Sequence, residues 1–288
     1  MRESAGERFV KMTGSGNDFV FVDARRASAA ALESPEWIRR ACARGTGIGA
    51  DGAVFLDPTA GEQGLVADLA FGIRYYNADG SRAALCGNAS LCSARLAVEW
   101  QLAPAAGFRF GTDSGVLSAR IRDGRPEIDL EPVRDVRPSM PDIALDAGER
   151  RAGFALVGVP HLVIQVDDVA DIDVERRGAE LRRHPAVGAA GANVNFVSRE
   201  ATGSDWLIRT FERGVEGETL ACGTGTVATA LLLGSWGETG ESGEPSAVHL
   251  RTRSGAVLSV RAAPVDGGWA PSLAGEGRIV FAGELREL

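Results

Sequence analysis

Leu85-Cys86-Gly87-Asn88-Ala89 and Ala221-Cys222-Gly223-Thr224-Gly225 each set a cysteine and a glycine at the mouth of an apolar run. The first run continues Ser90-Leu91-Cys92-Ser93-Ala94-Arg95-Leu96-Ala97-Val98, the second Thr226-Val227-Ala228-Thr229-Ala230-Leu231-Leu232-Leu233. Both read as helices that are apolar on most faces, and such helices are buried. A helix start offers unpaired backbone N–H groups and partial positive charge, which suits an anion and lowers a thiol pKa. Two such starts, with one thiol each, can hold a single carboxylate between two acid–base sulfurs. That arrangement moves a proton from one face of a carbon to the other.

The repeat extends beyond the cysteines. Gly49-Ala50-Asp51 recurs as Gly191-Ala192-Asn193, and Thr112-Asp113-Ser114-Gly115 as Thr252-Arg253-Ser254-Gly255. Gly16-Asn17-Asp18-Phe19, leading into Val20-Phe21-Val22, recurs loosely as Gly158-Val159-Pro160-His161 before Leu162-Val163-Ile164. Features in one order at a nearly constant offset of roughly 140 residues argue for a duplicated domain, since that period is far too long for a solenoid.

The hydrophobic share, 44% of 288 residues, is enough for two cores. No apolar run approaches the length of a membrane span, and Met1-Arg2-Glu3-Ser4 lacks the apolar stretch of a signal peptide. Four cysteines do not form a disulfide framework, which points to a reducing cytoplasm. A net charge of −8 gives no general attraction to nucleic acid or to an anionic membrane. Lys11 is the only lysine, and three scattered histidines make no metal cluster.

Pattern predicts strands over residues 19–22, 53–56, 69–76, 115–121 and 126–130 in the first half. In the second half it predicts them over 162–166, 194–197, 206–211, 247–252 and 256–261. Helices are predicted over 34–43, 88–101, 173–184 and 225–236. Each half thus reads as a curved sheet wrapped around one central helix, an α/β fold of the α+β kind. The charged, turn-rich stretch 131–141 is the candidate crossover, and 237–245 reads as a surface loop.

The motifs Gly14-Ser15-Gly16-Asn17-Asp18-Phe19, Gly47-Ile48-Gly49-Ala50-Asp51-Gly52, Asn77-Ala78-Asp79-Gly80-Ser81, Cys86-Gly87-Asn88, Pro160-His161, Asn193-Val194-Asn195-Phe196, Glu212-Arg213-Gly214 and Glu218-Thr219-Leu220-Ala221-Cys222-Gly223-Thr224-Gly225 stand in one order from about residue 9 onward. Together they resemble the diaminopimelate epimerase family. The resemblance implies two pseudo-symmetric duplicated domains, each a curved, mainly antiparallel sheet or barrel around its helix, with the active site in the interdomain cleft. Residues 1–131 would form the N-terminal half, joined by a returning strand at 276–288, and residues 132–275 the C-terminal half. It further implies a cytoplasmic homodimer acting on a small amino-acid substrate without a cofactor or metal, with no nucleic-acid or membrane partner.

By the same resemblance Cys86 and Cys222 are the acid–base pair, with roles that exchange with the direction of reaction. His161 and Glu212 assist by tuning or orienting the thiols. The N–H groups of Gly87, Asn88, Gly223 and Thr224 bind the reacting carboxylate, and Asn17, Asn77, Asn193 and Arg213 contact the rest of diaminopimelate. An amino-acid Cα–H is a very weak acid, so the closed site must lower the barrier by desolvation and by N–H groups around the carboxylate. The usual pyridoxal lysine is hard to place when Lys11 is the only one.

Other motifs read as structure. Cys42 and Cys92 lie inside helical runs and read as small buried hydrophobes. His184 and His249 match no motif and read as surface. Gly47 to Gly52 fits the dinucleotide pattern G-x-G-x-x-G, but a β-type run follows where a helix must start, so nucleotide binding is rejected. The chain departs from the family at Val159, where asparagine is usual, and at Ala89 and Leu91, where a glycine and an arginine are common. These departures leave two alternatives open: a sister amino-acid racemase, for example of histidine, or a non-catalytic relative.

Overall fold

The computed structural model describes residues 7–25, 32–59, 68–201, 203, 205–239 and 247–285. The chain forms two compact units, Met1–Ile128 with Gly275–Leu288, and Asp129–Ala274.

The first unit runs β1 (Glu7–Gly14), β2 (Asn17–Asp23), α1 (Pro35–Cys42), β3 (Gly52–Asp57), β4 (Leu69–Asn77), β5 (Arg82–Ala83), α2 (Gly87–Glu99), β6 (Phe108–Thr112), β7 (Gly115–Arg122) and β8 (Arg125–Asp129). The second runs β9 (Val136–Arg137), β10 (Glu149–Val157), β11 (Val159–Val166), α3 (Val174–Leu181), β12 (Asn193–Arg199), β13 (Trp206–Glu212), β14 (Gly217–Thr219), α4 (Gly223–Ser235), β15 (Val248–Arg251), β16 (Val257–Val265) and β17 (Gly268–Ala274). The last strand, β18 (Arg278–Leu285), pairs with β1.

Both units use one topology. In the first, β2 and β3 pair parallel, as do β4 and β6, and β1/β2, β3/β4, β6/β7 and β7/β8 pair antiparallel. In the second, β11/β12 and β13/β15 are the parallel pairs, while β10/β11, β12/β13, β15/β16 and β16/β17 are antiparallel. Among the described residues no pairing joins the outer strands β18 and β8, or β9 and β17, so each sheet is open rather than a barrel. A helix is about 10 Å across, and it fills the concave side: α2 packs on β1, β4, β7 and β18, and α4 on β10, β11, β12 and β16.

The other face of each sheet carries a short helix, which explains why the central strands are buried on both faces. Val20 and Val22 join Ile38 and Cys42 of α1 in one cluster, whereas Phe19 and Phe21 alternate with them. Leu162, Ile164, Val194, Phe196 and Phe211 pack with Val174 and Leu181 of α3. The alternate residues of those strands, His161, Asn193, Asn195, Thr210 and Glu212, therefore share the face that carries α4.

Several elements differ from the pattern reading. α2 and α4 begin at Gly87 and Gly223, earlier than residues 88 and 225, because the glycines themselves form the first turn. α3 ends at Leu181, and His184 instead caps a 3₁₀ turn, Pro185–Val187, by accepting from the N–H of Ala186. Strands β1, β5, β6, β10, β14 and β17 are additional, and the 131–141 crossover holds β9. Of the loop 237–245, residues 240–245 lie outside the described residues, as do 286–288 at the C-terminus.

Candidate active site

Cys86 and Cys222 occupy equivalent positions in the two units. Each is the N-cap of a 13-residue helix and holds an extended backbone, φ −135° and ψ 117° at Cys86, φ −128° and ψ 110° at Cys222. Their carbonyls accept the first helical bonds, from Ser90 N and Thr226 N, both at 2.9 Å. The Cys86 side chain makes no capping bond to the first N–H groups of α2. Cys222 Sγ accepts from Gly225 N at 3.4 Å and lies 3.6 Å from Thr224 Oγ1. Cys222 is buried and Cys86 half-buried.

In the first unit, Asn88 is buried in the first turn of α2, and its Nδ2 donates to Asn17 Oδ1 at 2.7 Å. Asn17 Nδ2 donates in turn to Asp51 Oδ2 at 3.0 Å, which also accepts from Asp18 N. Arg44 clamps both Asp18 and Asp51, and Lys11 pairs with Asp18 at 2.8 Å while donating to the carbonyl of Gly49. The loop 47–52 is thus a turn bolted to the β1–β2 corner, with Gly49 at φ +77°. Asn77 Nδ2 donates to Ser81 Oγ at 3.0 Å, and Asn77 Oδ1 accepts from the Tyr75 hydroxyl at 3.1 Å. Burial, with negative charge at Cys86 second, pushes the Tyr75 hydroxyl far above its ordinary range. Tyr75 therefore brings Asn77 and Cys86 into one neighbourhood, and it fits only because Gly52 has no side chain: a Cβ there would lie 2.6 Å from the Tyr75 ring.

In the second unit, His161 and Asn193 are register partners across the parallel β11–β12 pair. Asn193 Oδ1 accepts from Arg213 N at 2.7 Å. The Arg213 guanidinium makes one bond, to the carbonyl of Ala190 at 3.3 Å, and has no carboxylate partner among the described residues. His161 is fully buried, and desolvation, reinforced by the charge of Arg213, pushes its pKa down to about 3. Burial raises the Glu212 carboxyl above its usual range, partly offset by the nearby Thr219 hydroxyl.

Residues 17, 77, 86, 87 and 88 thus gather within the first unit. Residues 222, 223 and 224 form the α4 mouth; His161, Asn193 and Glu212 lie on the strands carrying it, and Arg213 opens the turn after β13. Four further residues join the candidate site without having been singled out as contacts: Tyr75, Asp51, Thr210 and Asn195. Asn195 and Asp51 both fall in the motifs given above, Asn195 in alternation with Asn193; Tyr75 lies two residues before Asn77 on one face of β4, and Thr210 meets Asn195 across the β12–β13 pair. Cys42 and Cys92 are buried free thiols, Cys42 raised by desolvation to about 11 and Cys92 well above its ordinary value, so both stay protonated. His249 Nδ1 lies 2.8 Å from Ser259 Oγ. Leu91 is fully buried, where an apolar side chain suits α2, and Ala89 is buried beside it. No metal-binding group of histidine, cysteine or acidic residues occurs among the described residues. Among them too, no helix is long and apolar enough to cross a membrane.

A family model described as diaminopimelate epimerase matches residues 9–134 and 153–259. A diaminopimelate epimerase of Gemmatimonas aurantiaca is 50% identical over 287 residues, covering 97% of this chain and 99% of that relative. One of Aquifex aeolicus is 35% identical over 260 residues, covering 88% of each chain. Among solved structures, a Bacillus anthracis phenazine biosynthesis protein of the PhzF family aligns with a TM-score of 0.72 at 14% identity, covering 98% of this chain and 99% of that one. A hydroxyproline epimerase from Agrobacterium vitis, solved with bound trans-4-hydroxy-L-proline, aligns with a TM-score of 0.65 at 18% identity, covering 99% and 94%. At those identities the two structures share the fold with this chain.

Proposed function

We propose that this chain, which belongs to the diaminopimelate epimerase family, interconverts LL-2,6-diaminopimelate and its meso form in lysine and peptidoglycan precursor biosynthesis. The observation that carries the reading is the pair of equivalent helix mouths, each capped by a cysteine in the same extended conformation. One thiolate removes the Cα proton, the electron pair delocalises onto the α-carboxylate, and the other thiol delivers its proton to the opposite face. The two sulfurs end with their protonation states exchanged, so no net proton is consumed.

The N–H groups at Gly87, Asn88, Gly223 and Thr224 hold the α-carboxylate, whose charge grows as the carbanion forms. His161 and Glu212 assist the thiols. Asn17, Asn77 and Asn193 position the substrate, and Arg213 takes the distal carboxylate, a role supported by its having no acidic partner among the described residues. Lys11 is held by Asp18 and Gly49 and is buried, which argues against its serving as an imine-forming amine. A cytoplasmic setting is supported by four free cysteines. A homodimer comes with the family reading, and sedimentation tests it.

The deciding experiment is Cα–H exchange in deuterated water, followed by NMR, with diaminopimelate isomers and a panel of other amino acids. Exchange and inversion of diaminopimelate support the reading. Exchange of another amino acid with diaminopimelate untouched would replace it with a sister racemase.

A further inference from the structure

Asn195 lies on the α4-facing side of β12 with no solvent exposure. Its Nδ2 donates to the main-chain carbonyl of Leu162 at 3.1 Å. A carbonyl can only accept, so this bond settles which end of the amide is the nitrogen. Oδ1 accepts from Thr210 Oγ1 at 2.9 Å, the residue directly across in β13. Nδ2 carries a second hydrogen, and His161 Nδ1 lies 3.4 Å from it. That hydrogen is used only if Nδ1 is an unprotonated acceptor, which places the single proton of a neutral imidazole on Nε2. Nε2 is buried and meets no hydrogen-bond partner among the described residues.

We propose that Asn195 is a positioning residue that holds His161 as the Nε2-protonated neutral imidazole, making His161 a fixed hydrogen-bond donor in the reaction rather than a base. The role in turnover rests on the epimerase reading; the tautomer does not. A buried N–H without a protein acceptor is rare in folded chains and is the kind of donor kept for a ligand or a developing negative charge. The low pKa of His161, near 3, agrees with a ring that stays neutral. Asn195 also touches the helix mouth. A Cβ on Gly225 would lie 2.3 Å from Asn195 Oδ1 and 3.2 Å from Cys222 Sγ. One amide therefore braces both the imidazole and the turn that Cys222 caps.

The test is a long-range ¹H–¹⁵N NMR spectrum of the full-length chain labelled at its histidine nitrogens. The chain has three histidines, so His161→Gln assigns the signals by difference. The expected wild-type spectrum shows pyridine-type Nδ1 and pyrrole-type Nε2 at His161 at neutral pH. A pyrrole-type Nδ1, or an imidazolium, overturns the proposal whatever any variant does. In Asn195→Asp the new carboxylate only accepts, so the proton should move to Nδ1 and the two shift types should exchange. A folded Asn195→Asp with an unchanged His161 spectrum would show that Asn195 does not set the tautomer. Cα–H exchange by the wild type, run alongside, reports on the epimerase reading separately. Absent exchange together with an Nε2-protonated His161 would end that reading and leave the tautomer standing.

Discussion

Asn88 Nδ2 donates to Asn17 Oδ1 at 2.7 Å and so ties the first turn of α2 to the start of β2, 71 residues earlier in the chain. The link continues through Asn17 to Asp51 and from there to Arg44. The α2 mouth is thereby fastened to the β1–β2 corner and the 47–52 loop, while Asn88 Oδ1 is buried with no hydrogen-bond partner among the described residues.

Asn88→Ala should remove that fastening and leave the Asn17 carbonyl without its donor. Losing one buried hydrogen bond costs about 1–3 kcal/mol. Urea denaturation should show a loss of that size, with Cα–H exchange reduced at least tenfold if the α2 mouth binds the reacting carboxylate. Unchanged exchange would remove Asn88 from the site.

Cys86→Ala and Cys222→Ala should each abolish inversion of diaminopimelate while leaving the chain folded, since both thiols lie at helix caps rather than on packed helix faces. Cys42→Ala and Cys92→Ala should stay active but lose about 1 kcal/mol of stability through the deleted buried sulfur. Near-wild-type turnover in either cap variant would defeat the two-thiol mechanism.

Arg213→Lys should weaken diaminopimelate far more than an amino acid without a distal carboxylate, because an ammonium cannot reproduce a planar two-point contact. Comparing kcat/KM for both substrate types in wild type and variant checks this. An equal loss for both would mean that Arg213 does not hold the distal end.

Gly225→Ala should be destabilising, since its methyl group would fall 2.3 Å from Asn195 Oδ1 in a fully buried turn. Overpacking of this kind costs about 1–3 kcal/mol. Thermal unfolding measures it, and a variant as stable as the wild type would mean that the α4 turn is free to shift.

Stability should also depend on pH through His161. Burial holds its pKa near 3 against an ordinary 6.5, so the unfolded chain binds a proton that the folded chain refuses. The contribution is complete above pH 6.5 and is lost as pH falls toward 3, by up to about 5 kcal/mol in all. Glu212 has the opposite sign, because its raised pKa favours the folded state at low pH and that gain is lost as pH rises. Denaturation series at several pH values should show a shallower acid decline in His161→Gln than in the wild type. Parallel declines would count against a neutral buried imidazole.

Much of the architecture was legible because it is written in local periods. Residues 19–22 are apolar throughout and 194–197 are apolar except at Asn195, since both faces of β2 and β12 are covered, and the runs after Cys86 and Cys222 are apolar on nearly every face because α2 and α4 are enclosed. β10 was hidden by its Glu149-Arg150-Arg151 start, and β17 by a proline and a glycine in a short strand. Those strands exist because partners pair with them, which no local pattern records.

The sequence by itself determined the duplication, the α+β class, the family and the two cysteine-capped helix mouths, because each depends on the order and spacing of nearby residues. Tertiary structure alone decided which side chains meet: Asn88 with Asn17, Asn17 with Asp51, and Asn195 with His161, Thr210 and the turn at Gly225. The reason is register. His161 stands beside Asn193, and Asn195 on the α4 face, only for one alignment of the parallel β11–β12 pair. A slip of a single residue would turn Asn195 to the opposite face of the sheet.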